Sequence, residues 1–271
     1  MKFNQTPKLL CFVAITLFSL SCNKSLEDYF NPDGIADNVY RGPIVKMGNG
    51  EVRSFFTVGP NGVPLKIGFE MNDAALEGLS TDAMDFMHNS FALSIPQKAK
   101  DMTAFNHLTV DWNPHGHEPE HVYDKPHFDF HFYKITPAER MAIPPYSPET
   151  AALFDNYPPA GFVPTTFVPT PGGVPQMGKH WGDTEGDEAN GLPFTKTFIY
   201  GTYNGTVNFY EPMVTMEHMK SGVESSTAFA QPLYFAPDST YYPTKYEITR
   251  DSVKKLHTVA LTDFVWRKMA N

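Results

Sequence analysis

The sequence predicts a mainly β fold. We expect one domain of antiparallel strands, forming a sheet or a barrel-like structure, with a few short helices and a long proline-rich loop. Apolar and polar residues alternate in runs separated by turns rich in glycine and asparagine. The first such stretch, GPIVKMGNGEVRSFFTVGPNGVPLKIGFEM, predicts a three-stranded meander. Two later stretches predict hairpins: KTFIYGTYNGTVNFYEP, which turns at Asn204-Gly205, and YYPTKYEITRDSVKKLHTVALTDFVW. Helix should therefore make up less than about a fifth of the chain.

The helix signals are short and lie between the strand signals. Asn72 is a good N-cap for a helix in NDAALEGL. In TPAER, Thr136 as the cap and Glu139 at the third helical position form a capping box. A further short helix is predicted in VTMEHMKSG. Residues 144–175 contain nine prolines, as a domain linker would, but their aromatic residues and valines favour an ordered loop that crosses the surface.

The N-terminal residues have the layout of a secretory signal peptide. A basic lead precedes an apolar run at residues 9–20, which is too short to span a bilayer. The cysteine in SLSC resembles a bacterial lipidation site, so we expect cleavage before Cys22 and lipidation of Cys22; a plain signal peptide cut nearby is the alternative. The predicted organisation is a signal peptide at residues 1–21, a polar tether at residues 22–34 and one β-rich domain at residues 35–271.

Cysteine content and charge limit the disulfides and the binding partners that the protein can have. Cys11 lies in the predicted signal peptide, so the mature chain has no disulfide. Cleavage also removes Lys2 and Lys8 and no acidic residue, which changes the formal net charge from −9 to −11. Such a chain has no electrostatic footprint for nucleic acid. Anionic lipid headgroups would not attract it either, so we expect a lipid anchor to hold it to the bacterial envelope, as an outer-membrane or surface lipoprotein.

One predicted strand carries unusual side chains on its polar face. In PHFDFHFYKI the residues of one face are His127, Asp129, His131 and Tyr133, and the other face carries three phenylalanines. Imidazole and carboxylate groups bind transition metals or move protons near neutral pH. We expect the phenylalanine face to pack into the core and the polar face to line an enclosed pocket.

Two later segments add candidate ligands. MGKHWGD places His180 among glycines, and NFYEPMVT places Glu211 at a predicted strand end before Pro212. Imidazoles and a carboxylate together suit Zn²⁺, Mn²⁺ or Fe²⁺ with open coordination positions. The predicted metal or ligand residues are His127, His131, His180 and Glu211, with His117, Asp129 and Tyr133 as supporting residues. Any metal held there should be released below about pH 6, because neutral imidazole is the metal-binding form.

Structural interpretations compete with this site. His127 and His131 would suit a hydrogen-bonded polar layer, His180 a loop residue packed on Trp181, and Glu211 the cap of a turn. The loop histidines, among them His117, would simply be solvated. Geometry also opposes the simplest metal motif, because a regular strand separates residues i and i+4 by about 13 Å. His127 and His131 can therefore share one metal only if their strand bends or bulges.

Six segments occurring in a fixed order resemble a known family. They are GVPLKIGFEMNDAALEGL, LTVDWNPHGHEP, VYDKPHFDFHFY, MGKHW, FIYGTYNG and EPMVT, and they extend over roughly residues 40–250. Together they resemble a family of bacterial envelope proteins of unknown function. Its structurally known representative is a Thermus protein under sigma-factor-E control that forms a homo-oligomeric ring. The resemblance implies a β-rich fold and self-association, and it assigns no catalytic residue.

Three functions fit these observations. We rank first a stress-related envelope lipoprotein whose histidine-rich polar pocket binds a metal ion or a small ligand. The second is a metal-dependent small-molecule enzyme of the cell envelope. The third is a structural homo-oligomer without a ligand site. The enzyme ranks second because the sequence offers neither a nucleophile nor a complete acid–base set.

Overall fold

The computed structural model describes residues 1, 26, 38–82 and 89–268. Three predicted features lie outside the described residues: the signal peptide beyond Met1, the lipidation site at Cys22, and the tether apart from Leu26. Leu26 is buried, and its backbone N–H donates a 2.9 Å hydrogen bond to Glu51.

The first sheet holds the two ends of the described domain. Its seven strands are β1 (Val39–Arg41), β2 (Val45–Met47), β3 (Gly50–Val58), β4 (Pro64–Asn72), β12 (Ser225–Ala228), β13 (Thr240–Asp251) and β14 (Leu256–Arg267). They pair in the order β1-β3-β4-β14-β13-β12, with β2 also on β3, and every pairing is antiparallel. The predicted meander (β2, β3 and β4) and the predicted C-terminal hairpin (β13 and β14) are both confirmed.

The second sheet is built from the middle of the chain. Its seven strands are β5 (Ser90–Ser94), β6 (His107–Asn113), β7 (His127–Tyr133), β8 (Phe167–Pro169), β9 (Lys179–Asp183), β10 (Lys196–Tyr203) and β11 (Thr206–Thr215). Their order is β5-β6-β7-β11-β10-β9-β8, again antiparallel. The β10–β11 hairpin turns at Asn204 and Gly205, both with positive φ, as the sequence predicts.

The helices of the described residues are short: those predicted in TPAER and VTMEHMKSG are present, the one predicted in NDAALEGL is a 3-10 turn, and two further helices were not predicted. The helices are α1 (Gln97–Met102), α2 (Pro137–Met141), α3 (Ala151–Phe154) and α4 (Met216–Ser221), with 3-10 turns at Asp73–Leu76 and Glu188–Asn190. The Asn72 side chain accepts from the N–H of Ala75, and Thr136 and Glu139 form the capping box. The proline-rich loop is ordered and contains both α3 and β8. No helix within the described ranges is long and apolar enough to cross a bilayer.

The main core lies between the two sheets. Phe128, Phe130 and Phe132 of β7 are fully buried there, which confirms the predicted orientation of this strand. The ring of Phe69, from β4 of the opposite sheet, packs edge-on against Phe130 and Phe132 at 5.0 and 5.3 Å. Of the described residues, 45% lie in strands and 13% in helices, so the mainly β class and the low helix content are confirmed. The barrel-like variant is wrong, because the described strands form two separate sheets in a sandwich-like fold.

Candidate metal centre

The polar face of β7 lies on the outer side of the second sheet and is nevertheless buried. His127 and His131 are fully buried and Asp129 is 5% exposed. The coil between β6 and β7 covers this face through His117, and the coil before β10 covers it through Phe194. The polar groups on a buried face need their hydrogen-bond or ionic partners within the protein. The histidines and carboxylates on and beside this face form two groups of potential metal ligands.

The first group consists of His131, His180 and Glu211. The β7–β11 register pairs Tyr210 with Phe132 and Met213 with Asp129, which brings Glu211 opposite His131. Strand β9, one strand beyond β10, delivers His180 to the same face. One ligand atom from each of the three side chains lies within 4.8 Å of the other two.

The distances in this first group exceed those of ordinary hydrogen bonds. Glu211 Oε2 lies 3.5 Å from His131 Nε2 and 3.5 Å from His180 Nε2. Glu211 Oε2 and His131 Nε2 are buried without a hydrogen-bond partner among the described residues. Two ligand atoms held by a tetrahedral Zn²⁺ at about 2.0–2.1 Å are about 3.4 Å apart. The spacing therefore fits a shared cation better than a direct hydrogen bond.

Asp111 on β6 lies next to the imidazole of His131. Its Oδ2 lies 3.0 Å from His131 Nδ1 and also accepts a 2.8 Å hydrogen bond from Thr109. The contact does not have hydrogen-bond geometry, so Nδ1 and Nε2 of His131 are both buried without a hydrogen-bond partner among the described residues. A carboxylate next to one ring nitrogen is common where a histidine binds metal through the other.

Burial sets the charge states of the first group. It lowers the pKa of His180 to about 3, assisted by the nearby His131 and His117, so this imidazole is neutral at pH 7. Burial raises the pKa of Glu211 well above its ordinary value, and the charges of Asp129 and Asp111 add to the effect. A bound cation would reverse the shift of Glu211, because it stabilises the carboxylate form.

An aromatic ring fixes the two histidines of the first group. Phe209 packs edge-on against His131 at 4.9 Å and against His180 at 5.3 Å. Its ring lies over Gly201 of β10, where an added Cβ would come within 1.9 Å of a Phe209 ring carbon. Only glycine fits at this position, so Gly201 allows Phe209 to pack between the two imidazoles.

The second group consists of His117, His127 and Asp129. His127 Nδ1 donates to the carbonyl of Lys125 at 2.7 Å, and its Nε2 lies 3.1 Å from Asp129 Oδ1. His117 Nε2 lies 3.5 Å from Asp129 Oδ2, which also accepts a 2.7 Å hydrogen bond from Asn113. Asp129 is thus at the centre of this group.

The second group can balance its own charges. Burial opposes protonation of His117, but the hydrogen bond and charge of Asp129 outweigh it and raise the pKa of His117 to about 8. Burial would likewise raise the pKa of Asp129, but His127 and His117 outweigh it and lower that pKa well below its ordinary value. An imidazolium–carboxylate pair accounts for this group without a metal. The three members of the first group form no such pair among themselves, because burial lowers the pKa of His180 and raises that of Glu211; His131 has a carboxylate neighbour in Asp111, outside the group.

The structure separates residues that the sequence interpretation placed in one site. His131, His180 and Glu211 come together, whereas His127 joins Asp129 in the second group, as expected for residues four apart on a regular strand. Glu211 lies inside β11, which continues through Pro212, and not at a strand end. His180 belongs to strand β9 and not to a loop.

The supporting residues also have definite places. His117 is not simply a solvated loop residue, because it contacts Asp129. Its side chain is nevertheless 38% exposed. Tyr133 touches no candidate ligand with its hydroxyl. Its ring instead stacks between His131, at 5.3 Å, and His107, at 4.8 Å.

Sequence reasoning missed Asp111, Phe209 and Gly201. Asp111 had a signal, because β6 also alternates polar residues on its outer face: His107, Thr109, Asp111 and Asn113. That alternation is the same as in β7. The roles of Phe209 and Gly201 depend on the pairing of β10 with β11, which the local sequence does not reveal.

The burial of His107 predicts that the fold loses stability in acid. Its Nδ1 donates to the carbonyl of Ile135 at 3.0 Å, while its Nε2 is buried without a partner among the described residues. Burial and the charge of Arg140 lower the pKa of His107 from 6.5 to about 4. Between these values the unfolded state binds a proton that the native state does not, so stability falls as pH decreases from 6.5 toward 4.

We therefore expect His107→Phe to weaken the pH dependence of unfolding. Urea denaturation at pH 7 and pH 5 measures how much free energy of unfolding is lost on acidification. This loss should be smaller for the variant than for the unmodified protein, by on the order of 1 kcal/mol. His121→Phe is the control, because the His121 side chain is 84% exposed. If the free energy of unfolding changes equally with pH in His107→Phe and in the unmodified protein, this role of His107 is refuted.

The fold and the two groups define a class of protein: a two-sheet antiparallel β domain with buried histidine–carboxylate groups on the outer face of one sheet. The model of the TTHB210-like family, described as hypothetical protein TTHB210, matches residues 59–112. This match confirms the predicted resemblance to the Thermus family over that segment. The matched segment includes Asp111, and both ligand groups lie beyond it. Comparisons with curated proteins and with solved structures gave no match.

Proposed function

We propose that this protein is an exported envelope lipoprotein that binds one divalent transition metal, preferably zinc, through His131, His180 and Glu211. The observation that carries the metal site is the pair of 3.5 Å separations around Glu211 Oε2, with both this oxygen and His131 Nε2 lacking hydrogen-bond partners in the described part of the chain. Octahedral metals at about 2.1 Å would bring neighbouring ligand atoms nearer, to about 3.0 Å. Zinc is therefore favoured over Mn²⁺ and Fe²⁺.

Metal binding can be measured on the full chain. After treatment with a chelator, equilibrium dialysis against Zn²⁺, Mn²⁺ or Fe²⁺ and elemental analysis should give one zinc per chain. His180→Gln should weaken zinc binding by at least about tenfold, since losing even an outer-shell partner costs about 10–100-fold. His121→Gln, at an exposed histidine outside both groups, should bind as the unmodified protein does.

The same measurement separates the two groups. His127→Gln removes a ligand from the second group only, so zinc binding should persist. Loss of zinc in His127→Gln but not in His180→Gln would move the site to the second group. Absence of bound metal under all three conditions would contradict the proposal and favour the structural role of the polar layer.

Lipidation of Cys22 is supported by the sequence LFSLSC and by the absence of any other cysteine after the apolar run. We expect Cys22→Ser to abolish lipid attachment and to leave the protein either unprocessed or soluble in the periplasm. Mass spectrometry of the mature N-terminus is the direct measurement. An unmodified N-terminus at another residue would contradict the lipoprotein assignment.

A further inference from the structure

A cavity of about 440 Å³ lies at one end of the sandwich, away from both ligand groups. Tyr210 of β11 and Tyr242 of β13 line it, so both sheets contribute to its wall. Phe162 of the proline-rich loop, and Phe235 and Pro237 of the segment before β13, complete an apolar lining. Its volume falls within the range of small-molecule sites, about 300–1,000 Å³.

One cation faces this apolar lining. Lys134 follows β7 directly, and its backbone N–H donates to Asn208, which fixes the start of its side chain. Its Nζ lies 5.6 Å from the centre of the Tyr242 ring. Among the described residues, no carboxylate lies within ion-pair distance of Lys134 and no acceptor hydrogen-bonds its Nζ.

The acidic residue of the cavity is already engaged. Glu139 also lines the cavity, but its Oε2 accepts the 2.7 and 2.8 Å hydrogen bonds of the capping box from Thr136. Elsewhere the protein pairs comparable lysines with acids, as in Lys179 with Asp155 at 2.6 Å. Burial lowers the pKa of Lys134 to about 7, and no counter-ion among the described residues offsets this effect.

A second polar group points to the same ligand chemistry. Tyr210 is 2% exposed and lines the cavity, and its hydroxyl makes no hydrogen bond to any described residue. The Tyr242 hydroxyl, by contrast, donates to Pro237 at 2.6 Å. An unpaired hydroxyl donor and an unpaired amine, on two residues that line one cavity, are complementary to a single carboxylate.

We propose that this cavity binds a small aromatic monocarboxylate, with the carboxylate on Lys134 and Tyr210 and the ring against Phe162, Phe235 and Tyr242. The carboxylate supplies the counter-ion that Lys134 lacks among the described residues. A desolvated charge-assisted hydrogen bond is also stronger than a neutral one. The aromatic walls favour a ring over an alkyl chain, because offset and edge-on ring contacts add to the burial of apolar area. The site is independent of the proposed metal centre.

Calorimetric titration of the full chain with naphthoate and with naphthamide, its neutral counterpart, tests the proposal. Naphthoate should bind at least tenfold more tightly than naphthamide. Lys134→Met should reduce this preference to less than twofold while leaving naphthamide binding unchanged. Lys220→Met is the matched control, because Lys220 is an exposed lysine that pairs with Glu77 on the surface, and it should keep the full preference.

Tyr210→Phe provides a second variant that preserves the ring and the packing. It should weaken naphthoate binding by at least threefold and leave naphthamide binding unchanged. The proposal is overturned if neither compound binds at millimolar concentration, if both bind equally to the unmodified protein, or if Lys134→Met retains the preference for the acid.

Discussion

Replacing Phe130 by alanine is expected to lower the free energy of unfolding by about 3–5 kcal/mol, the usual cost of removing a fully buried phenylalanine ring. Phe130 is 0% exposed and lies at the centre of the core between the sheets. Its ring packs against Phe69 of the opposite sheet at 5.0 Å and against Phe128 of its own strand at 6.0 Å. The substitution would leave a cavity that rigid strands on both sides cannot fill.

Chemical denaturation followed by tryptophan fluorescence measures this loss. Leu192→Ala is the matched control, because the Leu192 side chain is 56% exposed, and its effect should stay within about 0.5 kcal/mol. A loss below about 1 kcal/mol for Phe130→Ala would mean that the two sheets do not share this core.

Replacing Glu211 by methionine is expected to have opposite effects with and without metal. Without metal, Glu211 is 1% exposed and its Oε2 has no hydrogen-bond partner among the described residues. An apolar side chain of similar length removes this unsatisfied group, so the metal-free variant should gain about 1–2 kcal/mol of stability. With metal, the unmodified protein should gain about 2.7 kcal/mol at a zinc concentration of 100 Kd, and the variant should gain little.

Thermal unfolding with a chelator and with excess zinc measures both effects. Glu185→Met, at an exposed acidic residue, should behave as the unmodified protein under both conditions. If zinc stabilises Glu211→Met as much as the unmodified protein, Glu211 is not a ligand. If the metal-free variant is less stable by more than about 1 kcal/mol, the buried carboxyl makes favourable contacts that its geometry does not indicate.

The sequence was a good guide where the physical signal is local. The period-two alternation in β7 correctly separated the phenylalanines, which enter the core, from His127, Asp129, His131 and Tyr133. Turn and cap chemistry correctly located the hairpin at Asn204-Gly205 and the helix that begins after Thr136. These features depend on residues within a few positions of one another, so the sequence alone determined them.

Tertiary structure alone decided which polar residues meet. His131, His180 and Glu211 are far apart in the chain, and they meet because the sheet order β7-β11-β10-β9 is not the order of the strands in the sequence. Strand order depends on how the two sheets bury their apolar faces against each other, which no short stretch encodes. The spacing of four residues on a regular strand already indicated that His127 and His131 lie in separate groups, but the sequence could not show which other residues join each of them. The covering coil brings His117 to His127, and the register of β11 against β7 brings Glu211 to His131.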